Sequence, residues 1–200
     1  MFLKLTGRAC LVVGAGSVGE AKIRTLLPTG ATVRVIAPHA TPAVVKWVVS
    51  GRIAWETREF TPADLEGMFL VIAATSSVEV NNIVFREAQR RGVLCNAVDD
   101  PVRCDFYYPA VVQRGSLQIA ISTEGRSPAL AQRLRRELEN QFGPEYAGWV
   151  EHLGDERKQL LTQEMDYEYR RSLLHWRAGR ARFERYVRGL QPDTRRGDSR

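Results

Sequence analysis

Gly14-Ala15-Gly16-Ser17-Val18-Gly19 follows an apolar run, Ala9–Val13, and opens a segment of helical spacing, Ser17–Leu27. A G-x-G-x-x-G pattern is weak evidence by itself. A strand before it and a helix after it give the pattern a physical reading. Gly14 permits a tight turn, and Gly16 lets the backbone approach a pyrophosphate. Gly19 lets the helix pack close to the strand. The unpaired N–H groups at the helix N-terminus then face the anion. The plainer alternative is a glycine-rich turn that holds no ligand.

Outward from this turn, short apolar strands alternate with helical stretches. The first helix stops at Pro28, with Gly30 beyond. Ala31–Ala37 is rich in β-branched residues and reads as a second strand. Thr41-Pro42 starts a helix through about Ser50, Arg52–Trp55 is strand-like, and Thr61-Pro62 starts a short helix. Phe69–Ala74 reads as a strand, Val78–Arg91 as a helix and Val93–Val98 as a fifth strand. This alternation predicts an open parallel sheet with helices on both faces. After Asp105 the pattern changes. Tyr107–Gln113 and Leu117–Thr123 form a hairpin, and Ser127-Pro128 opens a helix through about Phe142. Glu145–Gln163 and Asp166–Leu190 read as helical. Leu173, Trp176, Phe183, Val187 and Leu190 make one apolar stripe on the last. Residues 191–200 read as a disordered end.

Three strand ends converge on the expected crevice. The second strand ends Ala37-Pro38-His39, without the acid that usually grips an adenosine ribose, and no arginine pair replaces it. His39 is either a ribose contact or a solvated loop residue. Ala73-Ala74-Thr75-Ser76-Ser77 puts small residues at the fourth strand's end, with Ser76 or Ser77 as a helix cap. Cys95-Asn96-Ala97-Val98-Asp99-Asp100-Pro101 delivers Asn96 and Asp99 to the same rim. Asp99 is a candidate general base, the alternative being an Asx-type turn before Pro101. His39, His152 and His175 are isolated, and no cluster has metal-ligand spacing, so no metal site is expected.

Of the 200 residues, 44% are hydrophobic and 26% charged, which excludes a disordered chain. The apolar runs are far shorter than the ~20 residues of a membrane span. The N-terminal residues contain no signal-peptide apolar region, so a cytoplasmic protein is expected. Cys10, Cys95 and Cys104 are too few and scattered for a disulfide framework. The formal charge of +6 suggests an acidic partner, but its distribution narrows that. Residues 165–200 carry ten Arg against five acids, whereas 1–164 carry 19 basic and 18 acidic residues. The Arg-rich last segment is either a packed helix with a solvated face or a contact for an acidic partner, with nucleic acid not favoured.

Taken in order, six stretches resemble the precorrin-2 dehydrogenase family, which includes the N-terminal module of sirohaem synthase. They are Gly14–Gly19, Leu26–Ala31, Ala73-Ala74-Thr75, Cys95–Pro101, Asp105–Ala110 and Ser122–Pro128. The resemblance covers about residues 1–145. It implies NAD-dependent oxidation of precorrin-2 to sirohydrochlorin. The cofactor contacts it implies are Gly14, Gly16, Ser17, Val18, Pro38, His39 and Thr75; the turn's Gly19 and the rim residue Asn96 are grouped with them. The family's essential aspartate falls on Asp99. A second strand without the ribose acid is typical of the family and favours NAD over NADP. The family's members pair through the middle segment, which implies a homodimer. The expected architecture is α/β: a Rossmann-type NAD-binding domain (1–106), a small α+β dimerisation segment (107–143) and a helical region with a basic tail (144–190). Two other functions fit the same residues: a bifunctional enzyme that also inserts Fe2+ into sirohydrochlorin, and a non-catalytic NAD- or tetrapyrrole-binding protein.

Overall fold

A computed structural model describes residues 2–190 of the chain; the expected disordered end, 191–200, lies outside the described residues. The chain divides into two compact units, Met1–Tyr108 and Pro109–Arg200.

The first unit holds strands β1 (Ala9–Ala15), β2 (Thr32–Ala40), β3 (Ala54–Glu56), β4 (Leu70–Ala73) and β5 (Leu94–Ala97), in the order β3-β2-β1-β4-β5. All pairings in this sheet are parallel. Helices α1 (Ser17–Leu26), α2 (Pro42–Val49) and α3 (Val78–Arg91) cross between strands. The central strand explains itself by its residues. Cys10 and Val12 point to one face, where Ile23 and Leu26 of α1 and Val44 of α2 cover them. Leu11 and Val13 point to the other, under Val84 and Ala88 of α3. A strand buried on both faces needs a continuous apolar run, which is what Cys10–Val13 provides. This is a Rossmann-type sheet. The order in which strands are added reverses between β1 and β4, so the carboxyl ends of those strands open a crevice.

The strand ends differ from the sequence reading in one way that matters. β1 runs on to Ala15 and β2 to Ala40, and these two residues pair after a register shift between Val13 and Ala15. Gly14 takes up the shift at φ +99°. Pro38 and His39 therefore lie within β2, both exposed, rather than in a loop after it.

The second unit contains the antiparallel hairpin β6 (Ala110–Arg114) and β7 (Leu117–Ile121), then α4 (Pro128–Gln141), α5 (Glu145–Leu161), α6 (Tyr167–Arg177) and α7 (Arg180–Leu190). The apolar stripe expected on one helix over 166–190 is split at Ala178-Gly179. Glycine is a poor interior helix residue. Breaking there lets Phe183 and Tyr186 of α7 pack on Tyr146 and Trp149 of α5, while Trp176 stays largely exposed. Arg177 and Arg182 both pair with Glu156 of α5.

Candidate functional site

The crevice in the first unit encloses about 790 Å³, within the range of small-molecule sites. Gly14, Gly16, Ser17, Val18, Pro38, His39, Thr75 and Asp99 all line it. Two of the turn's glycines are required by the chain's own packing. A Cβ on Gly14 would lie 2.4 Å from the Ala74 carbonyl oxygen, and one on Gly19 would lie 2.1 Å from the Gly14 carbonyl oxygen. Gly19, expected among the cofactor contacts, is buried and does not line the crevice; its role is to let α1 pack against the Gly14 turn. Gly16 is different. It is in extended backbone, and a Cβ there would meet nothing within 4 Å. Among the described residues nothing calls for glycine at Gly16, so the vacant volume belongs to whatever approaches from the crevice. The N-terminus of α1 behind it has no side-chain cap. Its free N–H groups and that empty volume together fit the pyrophosphate of a dinucleotide.

Thr75 closes the far wall. Its hydroxyl donates to Asn81 Oδ1 (2.8 Å) and accepts from the Ser77 N–H (3.2 Å). Ser77, rather than Ser76, caps α3 by accepting from the Val80 N–H. This fixes the turn after β4 with small residues at the surface of the crevice.

Asp99 stands at the other rim in a left-handed backbone conformation, φ +62°. Its neighbour Asp100 pairs with Arg103, and among the described residues no donor is hydrogen-bonded to the Asp99 carboxylate. The Asx-type turn is therefore not what occupies this side chain. An exposed, unpartnered carboxylate on a constrained backbone is placed to meet a ligand.

Asn96 is a correction. It is 6% exposed and does not line the crevice. Its amide donates to the Phe106 carbonyl (2.8 Å) and to Cys104 Sγ (3.3 Å). Lying on β5, it faces the segment that returns over the strand, and so supports the Asp99 loop from below.

Two charged residues at the site were not visible in the sequence. Lys22 of α1 is half-buried, with Nζ 4.1 Å from the centre of the Tyr108 ring. Burial lowers its pKa, against the opposing pull of the Asp99 carboxylate. Arg58, with Glu59 and Phe60, lines the crevice beside His39. Both residues look like ordinary surface positions in the sequence, and only the packing shows otherwise.

Arg58 belongs to an ion-pair cluster. Asp64, 3% exposed, accepts from Arg58, from Arg34 Nη2 (2.9 Å) and from the Thr61 N–H (2.8 Å). The Arg58 guanidinium holds the Asp64 carboxyl well below the usual carboxylate range, with the Thr61 bonds adding to it against the penalty of burial. Because the folded pKa is depressed, the stabilisation is complete above the ordinary carboxyl range near pH 4. It is lost as pH falls from there towards the folded value. Asp64→Asn should cost about 2 kcal/mol at pH 7, less than a fully buried pair because both arginines are partly solvated. Denaturant unfolding at pH 7 and pH 3 checks this: the gap between wild type and variant should narrow at the lower pH.

Burial pushes Cys10 up to about 11 and Cys95 to about 12, so neither supplies a thiolate at neutral pH. Among the described residues no group of three or more His, Cys, Asp or Glu side chains is clustered to hold a metal ion. Among the same residues no helix is long and apolar enough to cross a membrane.

Residues 1–110 match the family model described as "Putative NAD(P)-binding", and residues 114–141 match the one described as "Sirohaem biosynthesis protein central". Siroheme synthase 1 of Aeromonas salmonicida (strain A449) is 41% identical over 150 residues, covering 75% of this chain and 32% of that protein. The siroheme synthase of Methylobacillus flagellatus is 44% identical over 139 residues, covering 70% of this chain and 30% of that protein. The chain spans about a third of the length of the curated relatives it matches. The solved structure of SirC, precorrin-2 dehydrogenase, has a TM-score of 0.78 to this chain at 24% identity, covering 94% of this chain and 96% of that one. That likeness is one of fold.

Proposed function

Because the chain belongs to the NAD(P)-binding family whose model spans residues 1–110, we propose that it is an NAD-dependent dehydrogenase that oxidises precorrin-2 to sirohydrochlorin in sirohaem biosynthesis, working as a cytoplasmic homodimer. The observation that carries this reading is one crevice that combines a pyrophosphate cradle at Gly16 with an unpartnered carboxylate, Asp99, at its rim. The names of the siroheme synthase relatives supply the substrate class. Within the second unit α4 and α5 already pack on the hairpin, so the homodimer rests on the resemblance of the middle segment to the family.

The reaction removes a hydride from a bridging carbon of the macrocycle and a proton from the ring system. Bound NAD supplies the hydride acceptor. The rest is done by the chain. The free N–H groups of α1, beside the open space at Gly16, would hold the pyrophosphate. The small residues Ala74 and Thr75 in the crevice lining would admit the cofactor. Asp99 accepts the proton, and its free carboxylate needs no partner to be displaced first. Lys22 places a cation on the Asp99 side of the site, where a polycarboxylate substrate approaches.

The test is an anaerobic assay with precorrin-2 and either NAD or NADP. NADH and sirohydrochlorin are expected to appear in equal amounts, with a higher kcat/KM for NAD than for NADP. Dinucleotide binding without any NADH formation would reject the dehydrogenase.

A further inference from the structure

The crevice carries an arginine where a 2′-phosphate would need one, yet that arginine has nothing left to offer. Arg58 follows the Ile36–Glu56 pair that ends the β2–β3 ladder and lines the same crevice as Pro38 and His39, the region where a dinucleotide's adenosine ribose is read. An arginine near this position is the usual device for accepting NADP. A guanidinium has five N–H donors, and all five are used within the protein. Nε donates to Glu56 Oε2 (2.9 Å). Nη1 donates to the Glu59 carbonyl (2.9 Å) and Asp64 Oδ2 (2.8 Å). Nη2 donates to Glu56 Oε2 (2.7 Å) and Asp64 Oδ1 (2.5 Å).

Charge balance points the same way. Arg34 donates to Glu56 Oε1 (2.7 Å) and Asp64 Oδ1 (2.9 Å), so two guanidiniums face two carboxylates and the cluster is neutral. Glu59 lines the crevice and is exposed, and among the described residues it has no ion-pair partner, which adds a negative charge at this end of the rim. A ribose 2′-hydroxyl needs no cation. A 2′-phosphate would meet a carboxylate and no free donor on Arg58. Rejecting it requires no ribose-binding acid at the end of β2, which this chain lacks.

We propose that Glu56 and Asp64, by holding Arg58 out of use, together with Glu59, make this crevice select NAD over NADP. The proposal rests on the dinucleotide reading of the site and assigns its specificity to particular residues. Its test is equilibrium titration of the purified protein with NADH and with NADPH, followed by cofactor fluorescence, so that no tetrapyrrole is involved. Wild type is expected to bind NADH more tightly. Glu56→Gln removes one of the carboxylates that pin Arg58, and Glu59→Gln removes the rim charge. The double variant should shift the ratio of the two dissociation constants towards NADPH by about tenfold, the scale of freeing charge-assisted hydrogen bonds for a new partner. Adding Arg58→Ala to that background should erase the gain. Glu59→Gln alone touches an exposed side chain, keeps the fold and should give part of the shift. Equal wild-type affinity for the two cofactors would overturn the proposal, as would an unchanged ratio in the variants or a gain that survives Arg58→Ala. Failure of wild type to bind either dinucleotide would overturn the proposal too, and would place the fault in the dinucleotide reading itself.

Discussion

Asp99→Asn should lower kcat for precorrin-2 oxidation by at least about a hundredfold, the low end of what a positioned general base contributes. NADH affinity and the unfolding midpoint should stay where they are. The separation follows from the structure. The Asp99 carboxylate is exposed and bonded to nothing among the described residues, so its loss removes no contact that stabilises the fold. Its backbone is left-handed at φ +62°, a region that Asn adopts as readily as Asp. Asn therefore keeps the loop and removes only the ability to take a proton. Ala at the same position would add a backbone penalty and blur the result. Steady-state kinetics alongside an NADH titration and a denaturation curve decide the matter. A variant that turns over normally would show that the proton leaves by another route. One that also loses NADH affinity would show that Asp99 shapes the crevice rather than the reaction.

How much of this site is legible in the sequence depends on whether its information is local. The glycine turn, the four-residue apolar core of β1 and the α3 boundaries at Ser77 and Gly92 are each signalled by residue types within a few positions of one another, even where the contacts they serve reach further, and the sequence reading places them well. The extension of β2 through His39 is not local. It depends on a register shift at Gly14, twenty-six residues before the Ala40 it serves. Asn96 misled for a related reason. Its position after a strand suggests the rim, but alternation along β5 turns its amide toward Phe106. Arg58 and Lys22 carry no periodic or motif signal. Each becomes informative only when the sheet brings Glu56 and Asp64, or Tyr108 and Asp99, against it. The break at Gly179 had a signal, a glycine in a helical stretch. The unbroken spacing of apolar residues around it pointed the other way.

Gly14→Ala and Gly16→Ala should fail in different assays, although the two glycines are two residues apart in one motif. At Gly14 the backbone has φ +99°, and a Cβ would stand 2.4 Å from the Ala74 carbonyl oxygen and 2.7 Å from its carbon. Those atoms cannot retreat cheaply. The Ala74 N–H is bonded to the Val13 carbonyl (2.8 Å), and the adjoining Ala73 carbonyl accepts from Val98 (3.0 Å). The strained backbone costs about 1–2 kcal/mol and the overlap another 1–3. Gly14→Ala should therefore destabilise the first unit by about 3 kcal/mol, seen as a lower denaturant midpoint, and NADH binding should fall with it. Gly16 has neither constraint, so Gly16→Ala should leave the midpoint essentially unchanged. Its new methyl group would occupy the space against which the pyrophosphate rests, and the distance between phosphate and the α1 N–H groups would grow. NADH affinity should drop about tenfold or more, the loss of roughly one or two charge-assisted hydrogen bonds. If Gly16→Ala bound NADH like wild type, the pyrophosphate would not lie against Gly16, and the cradle would have to be sought elsewhere along the crevice. If both variants lost stability equally, the vacant volume at Gly16 would be part of the fold rather than of the site.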